Sequence, residues 1–321
     1  MAKVCEELYP MGSYKGQRSP GFYMHDTLKI NLDVLLKNIE RDWDFVITIA
    51  GSGRVRMGKS LLALQIGAYW TYMIEKLYGY KNPFNVEDNI IFNGADLIKK
   101  GNKLGMNNKY SCLIFDEAGA DLEGVKAMKK TTQAVKDFLR ECGQYNMLTI
   151  LVLPDFFDLP KGVALSRCDF LINCYTSVDD KDYIERGFFN FYSRPNKKYL
   201  YLRGKKELDY NAYHEDWSGD WDVFYPIDEA QYRALKVKAL RNREAISAKE
   251  ERMAFYARGC VLELKLRGLS HTEIAEKVKD HTGFATSHHY IAKILGKKNK
   301  KRTISGINLC ISIESLGKAG F

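Results

Sequence analysis

Residues 45–60 read FVITIAGSGRVRMGKS. The first six are apolar or β-branched with no polar alternation, which predicts a strand buried on both faces. A glycine-rich turn follows, and Lys59 then opens an apolar stretch running to Leu77 that reads as a helix. Gly53 to Ser60 fits G-x-x-x-x-G-K-S in the setting that spacing requires, strand before and helix after. Glycines let backbone N–H groups wrap phosphate oxygens, and the helix N-terminus favours the same anion. The expected phosphate-binding residues are Gly53, Arg54, Val55, Arg56, Met57, Gly58, Lys59, Ser60 and Leu61. Lys59 reaches the β- and γ-phosphates and the Ser60 hydroxyl ligates Mg²⁺, so ATP and Mg²⁺ are the expected cofactors.

Outward from this segment, four further apolar runs read as buried strands: NIIF (89–92), CLIFD (112–116), MLTILVL (147–153) and FLINCY (170–175). Helical patterns stand between them, including an amphipathic one from Leu122 to Cys142. Strands alternating with helices predict an α/β fold, a parallel sheet covered by helices on both faces. Upstream, Asn31–Arg41 has leucine and isoleucine at helical spacing, with Asn31 as its expected N-cap. Downstream, GFFNFYS and KYLYLRG flank Arg194-Pro195-Asn196-Lys197 and predict a β-hairpin. Its aromatics could stack on bases, but alternation this regular favours one face packing on the core. Residues 208–226 read as a loop or lid, and Asp228 as the cap of a charged helix to about Ala248.

The run CLIF ends in Asp116-Glu117. Carboxylates at the C-terminal end of a sheet strand stand where such sheets bind ligands. Asp116 is expected in the Mg²⁺ shell, and Glu117 to orient and activate a water for attack on the γ-phosphate. MLTILVL ends at Pro154-Asp155, where Asp155 reads as a γ-phosphate sensor or, equally, as a turn former. Arg140 and Arg167 are candidate arginine fingers, and Arg54 and Arg56 candidates acting in cis.

The order of strand, GRVRMGKS, LIFDE and a fourth strand ending in a polar residue resembles the additional-strand, catalytic-glutamate class of P-loop ATPases. Within it, DWDFVITIAGSGRVRMGKS, FDEAG, FLRECGQYNMLTILVLPDFFDLP and SRCDFLI resemble the FtsK–HerA branch over residues 28–205. That branch includes DNA-pumping, conjugation, phage-packaging and zonula-occludens-toxin-like ATPases. The resemblance implies a homo-oligomeric ring, often a hexamer, threading nucleic acid. Such motors usually carry Gln where this chain has Pro154-Asp155.

Charge is unevenly spread. The chain has 49 basic and 40 acidic side chains, net +9. Residues 236–302 hold 17 Lys and Arg against seven Asp and Glu, an excess of ten that leaves the remainder at −1. A segregated basic segment favours a polyanion partner through counterion release. Within it, GLSHTEIAEKVKD, a turn, and SHHYIAKILGK resemble the helix-turn-helix of resolvases and regulators. Ser270 and Glu273 form a capping box, and Ile274, Ala275, Val278, Ile291 and Leu295 supply a small core. The DNA-facing candidates are Ser287, His288, His289, Lys293, Lys297 and Lys298. The same core pattern also suits a three-helix protein-interaction bundle. Adjacent histidines diverge by ~100° on a helix, and no cysteine pair accompanies them, so zinc is not expected.

Seven cysteines without a C-x-x-C, several in apolar runs, indicate a reducing, cytoplasmic compartment. No apolar run reaches the ~18 residues of a membrane span and none forms a signal core, so neither insertion nor secretion is expected. The expected order is an irregular segment (1–30), an ATPase core with its hairpin (31–205), a loop and charged helical linker (206–250), a helix-turn-helix domain (251–302) and a tail (303–321). The expected function is an ATP-hydrolysing DNA translocase or packaging-type motor. An ATP-switched DNA-binding regulator or partition factor is the alternative, and a small-molecule kinase a weaker one.

Overall fold

The computed structural model describes residues 2–53, 56–119, 130–282 and 287–296. They form two compact units, Met1–Ala239 and Leu240–Phe321. The first opens with an antiparallel pair, β1 (Ala2–Val4) and β2 (Phe22–Met24), before helix α1 (Asp26–Ile39). The core alternation follows: β3 (Phe45–Gly51), α2 (Lys59–Tyr78), α3 (Val86–Asn89), β4 (Ile90–Ile91), α4 (Gly94–Asn107), β5 (Cys112–Phe115), α5 (Lys130–Glu141) and β6 (Leu148–Asp155). Next come β7 (Phe170–Val178), β8 (Ile184–Tyr192), α6 (Arg194–Gly204), β9 (Trp217–Asp220) and the start of α7 (Glu229–Leu266).

Seven strands make one sheet in the order β4-β5-β6-β3-β7-β8-β9. β4, β5, β6, β3 and β7 run parallel, and β8 and β9 extend the sheet antiparallel. β6 lies between the strand of the glycine-rich loop and the strand of Asp116, so the additional strand is present in the topology. Successive β3 side chains point to opposite faces. Phe45, Ile47 and Ile49 join one buried cluster with α1 and α2, while Val46 and Ala50 join another with α4, α5 and α6. This two-faced burial is why the parallel strands read as unbroken apolar runs.

Three local expectations are corrected. The hairpin across Arg194–Lys197 does not form, because β8 pairs backwards with β7 and residues 194–204 are helix. Pro195 sits in the first turn of α6, where its fixed φ suits a helix and its missing N–H costs nothing. Lys197, Leu200, Tyr201 and Gly204 are buried at helical spacing, which overrides the Tyr/Leu alternation. α1 starts at Asp26 rather than Asn31, burying Leu28, Leu32, Leu36 and Ile39, and the Asn31 amide donates back to the Thr27 carbonyl. The third concerns residues 1–30, which include β1, β2 and the start of α1, while residues 5–21 between the two strands are turns and bends whose Tyr9 and Tyr14 pack with Phe22 around Phe224.

In the second unit, the later turns of α7, α8 (His271–Thr282) and α9 (His288–Gly296) enclose Ala257, Val261, Leu264, Ile274, Val278 and Ile291. α7 is continuous through both Ala248 and Met253, so the expected break between linker and module is absent. The Ser270 hydroxyl and N–H both donate to Glu273, whose own N–H returns to Ser270 Oγ, forming the capping box.

Candidate active site

β3 delivers the chain to the glycine-rich turn, and the Gly53 N–H donates to the Pro154 carbonyl of the neighbouring β6. Gly58 lies in the left-handed region (φ +89°), and an added Cβ would stand 2.9 Å from the Trp221 ring. Backbone conformation and space both call for glycine there. Met57 is buried beneath the turn, and the Gly58 carbonyl accepts the first bond of α2 from Leu62. The turn, the ends of β5 and β6, and the stretch from Trp221 to Lys236 enclose a cavity of about 810 Å³. That volume is of ligand-pocket size.

Lys59, Ser60, Asp116 and Glu117 all face this cavity. The Ser60 hydroxyl donates to Asp116 Oδ1 at 2.9 Å. The Asp116 N–H donates to Ile91 on one side and the Ala118 N–H to Val152 on the other, so the chain crosses between strands at Glu117. Glu117 is held at φ +64°, a strained position for a residue with a Cβ. Burial pulls the Lys59 ammonium below its ordinary pKa, with Cys174, Glu117, Asp116 and Asp155 pulling the other way.

Two residues at the site were not expected from sequence. The Tyr232 hydroxyl donates to Asp116 Oδ2 at 2.5 Å, and the Lys236 ammonium lies 3.0 Å from the same oxygen and 2.9 Å from Glu117 Oε1. Burial opposes the Lys236 charge, but Asp116, Tyr232 and Glu117 outweigh it and hold its pKa above the usual lysine value. Burial, then Asp116, push the Tyr232 phenol up. Both residues lie on the first turns of α7, which therefore begins as a wall of the site rather than as a linker. The i, i+4 spacing of Tyr232 and Lys236 behind the Asp228 cap was the available signal. Arg186 and Arg233 also line the cavity.

The other expected residues are placed as follows. Arg56 and Leu61 line the cavity, whereas Arg54 and Val55 lie outside the described residues. Asp155 Oδ1 accepts from the Phe157 N–H (2.8 Å), and the Tyr210 hydroxyl lies within hydrogen-bond distance of both Asp155 Oδ1 (2.9 Å) and the Gly51 carbonyl (2.8 Å). The Asp155 carboxylate caps the turn that follows β6, behind the phosphate loop. Arg167 is not brought to the site: it pairs with Asp44 and donates to the Leu139 carbonyl, at the opposite end of the sheet. Arg140 stands on the last turn of α5, exposed and paired with Asp137. Ser287 caps α9 by accepting from the Tyr290 N–H. The side chains of His288, His289 and Lys293, and all of Lys297 and Lys298, lie outside the described residues.

Ser60 and Asp116 present hard oxygens side by side, the donor class Mg²⁺ prefers when it keeps waters and phosphate oxygens as its remaining ligands. The residues present fit that ion. Among the described residues, no group of three or more His, Cys, Asp or Glu forms a separate metal cluster. No described helix is long and apolar enough to cross a membrane.

No family model matches the chain, and no curated protein matches it. Solved structures that match include the genome packaging NTPase of Sulfolobus turreted icosahedral virus 2 in complex with AMPPCP. It is 17% identical, covering 49% of this chain and 95% of that one, with a TM-score of 0.33. The same NTPase with ATP-gammaS is 17% identical over 48% and 94%, with a TM-score of 0.31. The DNA-packaging ATPase from Sulfolobus turreted icosahedral virus is 17% identical over 49% and 95%, with a TM-score of 0.32. Those superpositions are partial, and the fold is read from this chain's own strand order.

Proposed function

We propose that this chain is an ATP-hydrolysing motor of the packaging or translocase kind, acting on DNA as a homo-oligomeric ring. The observation that carries the chemistry is the convergence of Lys59, Ser60, Asp116 and Glu117 on one cavity at the C-terminal ends of an additional-strand sheet. Lys59 and the backbone N–H groups of the loop hold the β- and γ-phosphates. Ser60 and Asp116 would hold Mg²⁺, which would supply charge neutralisation at the phosphate oxygens. Glu117 orients a water in line with the γ-phosphorus. As the new P–O bond forms, the bond to the bridging oxygen breaks with its electron pair leaving on ADP, and the water's proton passes to Glu117.

The basic excess in residues 236–302 supports DNA as the partner, and the three-helix C-terminal unit supports a helix-turn-helix that loads the track. Exposed Arg56, at the cavity, supports charge neutralisation in cis. Five buried free cysteines among the described residues suit a reducing cytoplasm. The test is steady-state ATP hydrolysis with and without long duplex DNA. Stimulation by DNA of any sequence, lost in Lys59→Ala, is the expected result. Slow hydrolysis indifferent to DNA would replace the motor with a nucleotide-switched DNA-binding protein.

A further inference from the structure

Asp116 is only 2% exposed, and both of its oxygens are engaged. Oδ1 accepts from the Ser60 hydroxyl at 2.9 Å and the Glu117 N–H at 3.1 Å. Oδ2 accepts from the Tyr232 hydroxyl at 2.5 Å and the Lys236 ammonium at 3.0 Å. The same ammonium is 2.9 Å from Glu117 Oε1, so one cation bridges the two carboxylates on which the proposed hydrolysis depends. Two carboxylates facing one cavity attract divalent cations, and here an ammonium tethered to α7 already fills that role. Tyr232 and Lys236 sit one helical turn apart, so both contacts come from one face of one helix.

We propose that Lys236 is a tethered counter-cation that keeps free divalent metal out of the Asp116–Glu117 site and yields only to metal carried in on a nucleotide's phosphates. This role rests on the nucleotide-binding reading given above. A bare divalent ion gains Asp116 only by leaving the Lys236 ammonium without its partner in a largely buried place, a costly exchange. Phosphates held by Lys59 and the loop change that balance, because the displaced ammonium then finds anionic oxygens in the same cavity. Lys236 is therefore a positioning residue that acts through Asp116 and Glu117. It makes metal occupancy conditional on nucleotide and keeps Glu117 paired until nucleotide arrives.

The test is Mn²⁺ binding to the full chain, read by the loss of the free-ion electron paramagnetic resonance signal. Wild type, Lys236→Met and Lys236→Arg are compared, with and without ATP, and thermal unfolding checks each fold. Without ATP, wild type and Lys236→Arg leave Mn²⁺ largely free, while Lys236→Met binds it about tenfold more tightly or better, because the competing charge is gone. With ATP, wild type also takes up Mn²⁺, read as the Mn²⁺ retained with the protein beyond that in the same ATP solution after ultrafiltration. A Lys236→Met protein that unfolds at the wild-type temperature and binds Mn²⁺ no more tightly than wild type overturns the proposal. Should Lys236→Met fail to fold, Lys236→Gln and Lys236→Ala take its place, and a folded variant that binds Mn²⁺ without ATP no more tightly than wild type overturns the proposal. ATP binding is followed in parallel by fluorescence titration. Absent binding in every form overturns the nucleotide reading along with this proposal, whereas intact ATP binding with unchanged Mn²⁺ affinity overturns this proposal alone.

Discussion

At the C-terminal ends of β3, β5 and β6, charged side chains face a cavity of about 810 Å³. At the N-terminal ends of β3 and β7, the same residue types are closed against one another. There Arg167 pairs with Asp44 and with the Leu139 carbonyl, and Asp169 accepts the Val46 N–H at 2.9 Å. Burial pulls Arg167 below its ordinary pKa and pushes Asp169 up, with the Val46 hydrogen bond opposing the latter. Both ends carry arginine or lysine beside aspartate, and at the C-terminal end a cavity lies between them. Residue type alone does not assign a role, whereas the end of the strand does, because loops diverge there to open a crevice at the carboxyl edge.

The contrast breaks most sharply at Glu117. Replacing it with Gln is expected to lower ATP hydrolysis about 100-fold or more while ATP binding persists, since only the water-activating carboxylate is lost. Radiolabelled turnover alongside equilibrium binding checks both halves. Asp44→Asn, at the other end, is expected to leave ATP affinity unchanged and cost about 2 kcal/mol of stability. It strands a guanidinium that is partly screened by water, so the full penalty of a buried pair does not apply. Denaturant unfolding reads that loss, and a change in ATP affinity without a change in stability would erase the distinction between the two ends.

Tyr210 sharpens the comparison, since its hydroxyl joins the Gly51 carbonyl to Asp155 directly behind the phosphate loop. Tyr210→Phe should cost about 1 kcal/mol and weaken ATP binding a few-fold, because the loop loses a brace and no chemical group. A stability loss with unchanged ATP affinity would return Tyr210 to a purely structural role. The smallest effect is expected in the C-terminal unit. Ser270→Ala removes the helix cap at about 1 kcal/mol and leaves ATP turnover without DNA unchanged. Hydrogen bonds from the Ser270 side chain and N–H hold the Glu273 carboxyl below its ordinary pKa. Its contribution is therefore complete above the ordinary carboxylate pKa and fades as pH falls through the lowered folded value. Helicity followed by circular dichroism against pH checks the sign, and Ser270→Ala should flatten that dependence.

The strands were legible in the sequence because a parallel strand buried on both faces is apolar or β-branched throughout, as 45–50, 112–115 and 148–153 are, with Thr48 and Thr149 the buried hydroxyls among them. The phosphate loop and Asp116-Glu117 were legible because their residue types and spacing are set by the ligand. Local rules failed where long-range packing decided. KYLYLRG alternates like a strand, yet Pro195 and the burial of Lys197, Leu200 and Tyr201 make it a helix. α4 was legible only as part of the strand–helix alternation, without bounds, because its stripe is interrupted by lysines, glycines and asparagines, although the Asn93 side chain caps it by accepting from the Asp96 N–H. Tyr232 and Lys236 reach Asp116 from 116 and 120 residues away, a distance no local pattern encodes. Arg167's pairing with Asp44 was likewise unreadable, because an arginine's partner is invisible until the chain folds.

The most direct measurement is a calorimetric titration of ATP with Mg²⁺ into wild type, Lys59→Ala and Asp44→Asn. One bound nucleotide per chain in wild type and Asp44→Asn, with binding lost in Lys59→Ala, is the predicted result. Binding that survives Lys59→Ala, or no binding to wild type, would contradict the assignment of the cavity between Lys59 and Asp116 as a nucleotide site.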